Sequence, residues 1–297
     1  MSSKESKQWT PGPHTFTAAN GITFHYLIRG HGPLLVVQSV GWGPSMHLYS
    51  NSLNPLEDRF TVLYFESRGS GKSTRPASAD EMSTRTLASD LEYLRLHLGE
   101  EELWLWGHSN GGAIVLAYAE DFPERVEKLV LVNHELQGFS SDNFQTFAAA
   151  RKDHPVYGPA LATIVGLMQS PPATDEEFRD RLLKAFPYYM HDTEKTHLLE
   201  EVMEGGSLSV WNFLNQSRCD ARETFSAVDG LDKIRARTLV VNGRSDGICS
   251  EVAARKVVDV LGDRAELVLV EEAGHLPWIE QPHIFFPVVE RFLLSNE

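Results

Sequence analysis

A serine flanked by glycines is the first feature of the sequence that could do chemistry. Residues 107–111 read Gly-His-Ser-Asn-Gly, directly after the apolar run 103–106 and before a segment with helical spacing. The glycines allow a sharp turn in which strand and helix backbones approach too closely for side chains. Such a turn lifts the Ser109 hydroxyl to the helix N-terminus, where backbone N–H groups favour negative charge. The context predicts a nucleophilic serine rather than an ordinary glycine-rich turn.

A serine nucleophile needs a general base, and the base needs an acid that orients it. His275 follows the apolar run 267–270, and Asp246 follows the apolar run 238–241. The order serine, acid, histidine is one of the known orders of such triads. All three residues follow predicted strands, at the sheet edge where parallel sheets bind ligands. We predict Ser109 as nucleophile, His275 as base and Asp246 as acid.

Strands that alternate with helices must position these residues. Apolar runs of strand length occur at 22–28, 34–38, 61–65, 103–106, 129–132, 238–241 and 267–270. Helical spacing occurs at 84–98, about 110–120, 252–261 and 283–294. This alternation predicts an α/β fold with a mostly parallel, doubly wound sheet.

The segment 136–232 breaks the alternation and is too long for a loop. It is helix-like, with turn signals at several prolines, and the sheet pattern resumes after it. We predict a core formed by residues 14–135 and 233–297, with an inserted helical cap at 136–232. The polar residues 1–13 are expected to form a flexible leader.

Charge and cysteine content argue against several function classes. Lys and Arg number 27 against 41 Asp and Glu, and the net charge of −14 repels phosphate backbones and anionic membranes. Cys219 and Cys249 form neither a CxxC pair nor a zinc-ligand cluster, and so few cysteines are typical of a reducing compartment. We expect a cytoplasmic protein with a small-molecule substrate and no nucleic-acid, membrane or metal partner. The oligomeric state stays open.

Residues 69–73, Gly-Ser-Gly-Lys-Ser, superficially suggest a phosphate-binding loop. A Walker A motif needs a glycine five residues before the glycine of Gly-Lys-Ser, and that position holds Glu66. A dinucleotide-binding G-x-G-x-x-G motif after a strand is also missing from the sequence. We therefore expect no cofactor.

The motifs together resemble the α/β-hydrolase superfamily, and they are similar to its proline-iminopeptidase-like branch. The resemblance rests on residues 107–112, 68–73, 242–246 and 274–275, and it extends from about 22 to 292 but is weak in the predicted cap. It implies acyl transfer to Ser109 followed by hydrolysis with water. An epoxide hydrolase or dehalogenase is disfavoured because the turn holds serine rather than aspartate.

A further likeness leaves the identity of the acid open. Residues 133–135, Asn-His-Glu, follow the strand 129–132 and resemble fungal lactonases of the zearalenone-degrading type. In those enzymes a glutamate after this strand is the triad acid, so Glu135 competes with Asp246 for His275. Alternatively, His134 and Glu135 line the pocket or begin the cap. We favour Asp246, which matches the commoner geometry.

The oxyanion hole departs from the pattern of many relatives, which carry His-Gly after the strand corresponding to 34–38. This chain has Gln38-Ser39 there. Backbone donors are expected near Val40 or Gly41, with the N–H of Asn110 as the second.

We predict a serine hydrolase that cleaves a small, fairly apolar ester or lactone. Trp42, His134, Tyr188 and Trp211 are predicted to contact the substrate. A proline iminopeptidase would use the same triad. A lyase or cyclase could reuse the pocket without hydrolysis, and a receptor could keep the triad only to bind ligand.

Overall fold

The computed structural model describes residues 9–295, and one eight-stranded sheet organises them. The strand order is β1-β2-β4-β3-β5-β6-β7-β8. The first two strands pair antiparallel with their neighbours, and the other strands pair in parallel. The strands are β1 Gly12–Thr17, β2 Thr23–Gly30, β3 Leu34–Gln38, β4 Thr61–Phe65, β5 Leu103–His108, β6 Val126–Val132, β7 Arg237–Gly243 and β8 Ala265–Val270. The predicted α/β fold with a mostly parallel sheet is confirmed.

Helices cover both faces of this sheet. The α-helices are α1 His47–Ser50, α2 Thr84–Leu98, α3 Asn110–Asp121, α4 Asn143–Arg151, α5 Tyr157–Gln169, α6 Asp175–Ala185, α7 Thr196–Val202, α8 Val210–Asp220, α9 Glu251–Leu261, α10 Pro277–Glu280 and α11 Pro282–Leu294. Helix α2 begins after the N-cap Ser83 and ends at Gly99, whose φ of 66° allows the left-handed turn.

Alternate residues of each central strand enter different cores. On β5, Leu105 belongs to the apolar cluster that includes residues of α2, α3 and α9, whereas Trp106 belongs to the cluster that includes residues of α1, α10 and α11. On β6, Leu131 belongs to the same cluster as Leu105, and Val130 belongs to the same cluster as Trp106. Because both faces are covered, the strands are apolar throughout, as predicted for the centre of a parallel sheet.

Two boundaries need comment. Strand β1 begins at Gly12, so the predicted leader 1–13 extends two residues too far. The backbone of Gly12 and Pro13 pairs with β2, and this pairing orders the segment. Residues 1–8 lie outside the described part of the chain. Helices α4 to α8 all lie between β6 and β7, in the segment predicted as an insertion.

Within residues 9–295, none of the helices combines the length and apolar character that crossing a bilayer requires.

A carboxyl group is buried at the end of α3. Glu120 is 4% exposed, and within the described residues its Oε1 atom has no hydrogen-bond partner. Burial, followed by the neighbouring charge of Asp121, raises the pKa of Glu120 to about 8, against weaker opposition from Lys233 and Arg85. Its other oxygen faces Gly230, where a Cβ atom would lie 2.4 Å away. Burial therefore favours the protonated form of Glu120 at neutral pH.

This burial predicts that Glu120→Gln stabilises the protein at alkaline pH. Because folding raises the pKa of Glu120, its contribution to stability is full below pH 4.5 and is lost as pH rises through about 8. Glutamine reproduces the neutral acid and does not ionise. We expect the variant to exceed the wild type by on the order of 2–4 kcal/mol in unfolding free energy at pH 9, and by little at pH 5.

Denaturant unfolding at both pH values measures the difference. Glu101 is exposed, so Glu101→Gln is the matched control and should show no pH-dependent gain. An equal difference between Glu120→Gln and wild type at pH 5 and pH 9 would contradict the interpretation.

Candidate active site

Ser109 lies in the turn between β5 and α3. Its backbone has φ of 53° and ψ of −126°, a region that non-glycine residues rarely enter. The residue is half-buried, and it caps the N-terminus of α3 without using its side chain to cap the helix. The turn thus presents a free hydroxyl at the positive end of a helix.

Three glycines make this turn possible by close backbone contact. A Cβ atom at Gly107 would lie 2.6 Å from the carbonyl oxygen of Gly111 and 2.8 Å from the Cα of Gly112. At Gly112 a Cβ atom would lie 2.5 Å from that of His134 on the neighbouring strand end. Glycine is therefore required at these positions, because the backbones approach so closely that a Cβ atom would clash.

His275 and Asp246 form a buried pair. The Nδ1 atom of His275 lies 2.8 Å from Oδ2 of Asp246, and both side chains are almost fully buried. Asp246 also accepts hydrogen bonds from the Asn133 amide at 2.6 Å and from the N–H of Ile248 at 2.8 Å. These donors stabilise the ionised carboxylate and direct its oxygen toward the imidazole.

A second histidine packs against His275. The rings of His108 and His275 have their centres 4.5 Å apart, and Nε2 of His108 donates to the backbone carbonyl of His275 over 2.9 Å. The Tyr49 hydroxyl lies 3.2 Å from the other ring nitrogen of His108. Burial, aided by the nearby His275, holds the pKa of His108 well below its usual range. His108 therefore supports His275 as a neutral ring.

Glu135 contacts a different partner. Its Oε2 atom accepts a hydrogen bond of 3.1 Å from the side-chain amide of Asn110. Burial raises the pKa of Glu135, although the Asn110 bond opposes this shift. Of the two predicted acids, Asp246 is thus hydrogen-bonded to His275 and Glu135 to Asn110.

The three expected oxyanion donors differ in their availability. The Gly41 N–H donates to Oδ1 of Asn110 over 2.9 Å and is therefore occupied. Within the described part of the chain, the Val40 N–H makes no hydrogen bond. As the first residue of α3, Asn110 has an N–H without an intrahelical acceptor. Val40 and Asn110 are the available pair.

Ser109 lines two neighbouring cavities. The larger, here called the open cavity, has a volume of about 440 Å³; the smaller, here called the slot, has about 30 Å³. Trp42, Ser109, Leu182 and Tyr189 line both. His275 and Val40 line the slot, whereas Glu135 lines the open cavity.

The predicted substrate contacts are only partly brought together. Among the described residues that line the two cavities, Trp42 is present but His134, Tyr188 and Trp211 are not. Tyr188 packs with Ala160 and Leu161 in a separate cluster, and Trp211 lies under the Arg75 guanidinium, 4.7 Å from the ring centre.

His134 is buried, and burial lowers its pKa to about 4. It lines a neighbouring cavity of about 250 Å³. The sequence pattern could not separate Tyr188 from Tyr189 or Trp211 from Phe213, because the packing of the helices decides which ring faces Ser109. Tyr189 and Phe213 line the open cavity.

Sequence reasoning missed Cys249. It lines the open cavity together with Ser109. Burial, reinforced by the nearby carboxyl groups of Asp246 and Glu135, raises the pKa of the thiol well above its usual range. The cysteine lies three residues after Asp246, and that position on the same loop was the available signal.

One group of side chains could hold a metal ion. Within residues 9–295, the ligand atoms of Asp246, Cys249 and His275 lie within 4.8 Å of one another. Two of them already form the hydrogen-bonded pair described above. A metal there would compete with the proton that they share.

Comparison with known proteins identifies the family of the fold. The family model described as alpha/beta hydrolase fold matches residues 33–282. The AB hydrolase superfamily protein YclE of Bacillus subtilis is 24% identical over 278 residues, which cover 90% of this chain and 94% of that protein. The proline iminopeptidase PfmaB of Pestalotiopsis fici is 26% identical over 280 residues, with coverage of 90% and 94%.

A solved structure extends the likeness to three dimensions. An alpha/beta fold family hydrolase from Bacillus anthracis superposes with a TM-score of 0.78 at 20% identity, covering 95% of this chain and 99% of that one. This similarity concerns the fold. The match over residues 33–282 shows that the chain belongs to the α/β hydrolase fold family and is a hydrolytic enzyme, and the likeness to PfmaB supports the proline-iminopeptidase-like branch.

Proposed function

We propose that the protein is a serine hydrolase of small, fairly apolar carboxylic esters or lactones. The observation that carries this proposal is the pairing of two features in one place. Ser109, held at positive φ, and His275, bonded to Asp246, line the same cavity. Nucleophile, base and orienting acid are the parts that acyl transfer to serine requires.

The reaction follows from these positions. His275 Nε2 takes the Ser109 proton as Oγ bonds to the substrate carbonyl carbon, and Asp246 stabilises the resulting imidazolium. The carbonyl oxygen becomes an oxyanion, which accepts hydrogen bonds from the N–H groups of Val40 and Asn110. Collapse breaks the carbon–oxygen bond, and His275 protonates the departing alkoxide.

Water completes the cycle. It gives a proton to His275 as it attacks the acyl-enzyme, and the second collapse releases the acid while His275 returns the proton to Ser109 Oγ. No cofactor is needed for these steps.

Helices α4 to α8 act in this proposal as a cap over the site. Support comes from Leu182 and Phe186 in and after α6, and from Phe213 on α8, which line the cavities around Ser109. These side chains provide apolar walls that exclude water from the reacting carbonyl.

The same cavity weighs against an N-terminal amine as the group recognised. Binding an ammonium calls for ionised carboxylates. Glu135 and Asp220 line the open cavity, but burial raises the pKa of both carboxyl groups, and Thr84 already donates two hydrogen bonds to Asp220. They are therefore weak partners for an ammonium, and a prolyl peptide is the less favoured substrate.

The first expectation is covalent labelling of Ser109 by a fluorophosphonate. Intact-protein mass spectrometry should show a single adduct in the wild type and none in Ser109→Ala. Ser140, which is exposed, supplies the control Ser140→Ala, and this variant should react as the wild type does. A labelled Ser109→Ala, or a folded wild type that stays unlabelled, would exclude the proposed nucleophile and favour a binding protein.

The second expectation concerns the acid. Asp246→Asn should lower kcat by about 10³–10⁴, because a neutral amide stabilises neither the required tautomer nor the imidazolium. Glu135→Gln keeps an oxygen acceptor for the Asn110 amide and should lower kcat by less than about tenfold. Steady-state kinetics of both variants, with folding verified by circular dichroism, measure the two effects. The reverse order would transfer the role to Glu135.

The third expectation concerns substrate class. We expect higher kcat/KM for methyl esters of aryl-substituted acids than for prolyl-naphthylamide, because the walls are apolar and burial opposes ionisation of the cavity carboxyl groups. Parallel assays on one enzyme preparation test this, with Ser109→Ala as the background for every substrate. A preference for the prolyl amide would identify an aminopeptidase with the same triad.

A further inference from the structure

We propose that the slot beside Ser109 receives the alkoxy group of the ester and admits only short ones, and that Met203 forms its end wall. This inference rests on the proposed function and specifies its substrate class. The substrate would be an ester of a bulky acid with a small alcohol, such as a methyl or ethyl ester.

The two cavities at Ser109 are very unequal. The slot, at about 30 Å³, is on the scale of one or two water molecules, whereas the open cavity has about 440 Å³. A scissile carbonyl at Ser109 has two substituents, and they must occupy different directions. One substituent therefore has room for an aromatic or branched group, and the other has room for one or two carbons.

The position of His275 decides which substituent is small. The leaving oxygen must lie within hydrogen-bond reach of the general acid that protonates it. His275 lines the slot and, among the described residues, is not part of the lining of the open cavity. The alkoxy group therefore points into the slot, and the acyl group extends into the open cavity beside Cys249 and Phe213.

A third cavity lies beyond the slot. It has a volume of about 330 Å³, and the exposed side chains of Glu200, Glu201 and Glu204 are part of its lining, so it reaches the surface. Phe186 and Met203 line both this outer cavity and the slot. These two side chains therefore lie between the slot and the outer cavity.

Met203 is a side chain of this wall whose truncation would leave the lining of the open cavity unchanged. It is 7% exposed and follows the C-terminus of α7. Leu182 lines all three cavities, so its truncation would also enlarge the open cavity. Met203 is absent from the described lining of the open cavity, and its truncation would join the slot to the outer cavity alone.

The test compares methyl, ethyl, butyl and hexyl esters of one arylpropionic acid. For the wild type, kcat/KM should fall by about tenfold or more from methyl to hexyl, the scale expected when methylenes do not fit an apolar pocket. Met203→Ala should reduce this ratio by about tenfold, and Met203→Val should give an intermediate ratio and serve if the alanine variant is unstable.

The matched control is Leu183→Ala. Leu183 lines the outer cavity and is not part of the described lining of the slot or the open cavity. It should keep the wild-type dependence on alcohol length. A second series, with the alcohol fixed as methyl and the acid lengthened, should show little dependence in the wild type.

The outcomes separate the inference from the function on which it rests. A flat wild-type profile for the alcohol series, a steep profile only for the acid series, or equal shifts in Met203→Ala and Leu183→Ala would overturn the slot. Fluorophosphonate labelling of Ser109 is measured on the same samples. Its absence would remove the proposed function, whereas labelled enzyme with the wrong length profile would remove only this inference.

Discussion

The contact between the N-terminal turn of α3 and the strands beneath it is the constraint on which the site depends. Gly107, Gly111 and Gly112 bring helix and strand backbones together at distances that exclude any Cβ atom. The helix can then begin immediately after β5, and Ser109 must adopt positive φ to connect them. The strain of that residue is held by the packing of the whole central sheet, which cannot relax locally.

The chemistry of the site depends on which buried groups carry charge. Asp246 accepts three hydrogen bonds, from the Asn133 amide, the Ile248 N–H and the His275 ring. Burial opposes ionisation of Glu135 and Cys249 and protonation of His108, and the pKa of each is shifted toward its neutral form. In the proposed mechanism these shifts disfavour competing charges near Ser109 and His275, in a region of low dielectric where hydrogen bonds are strong.

The helices between β6 and β7 determine the shape of the space around that path. The sheet edge supplies the reacting groups at strand ends, as expected for parallel α/β proteins. Side chains such as Leu182 and Tyr189 then divide the space above Ser109 into unequal cavities. In the proposed mechanism the strand ends therefore supply the reacting groups, and the helices between β6 and β7 shape the space that the substrate would enter.

The sequence by itself determined the class of fold and which residues with reactive side chains follow the ends of strands. Strand periodicity and the glycines around Ser109 act locally, so the turn, the mostly parallel fold and the positions of Asp246 and His275 after strands could be predicted from the pattern. Contacts between distant segments could not. Asp246 rather than Glu135 lies 2.8 Å from His275 because β7 and β8 are neighbours in the sheet, while Asn110 engages Glu135.

Packing also lets the Gly41 N–H donate to the Asn110 side chain, and it places Tyr189, rather than Tyr188, in the lining of the cavity at Ser109. These choices depend on the angle at which helices meet the sheet, which is set by long-range contacts that no local pattern encodes.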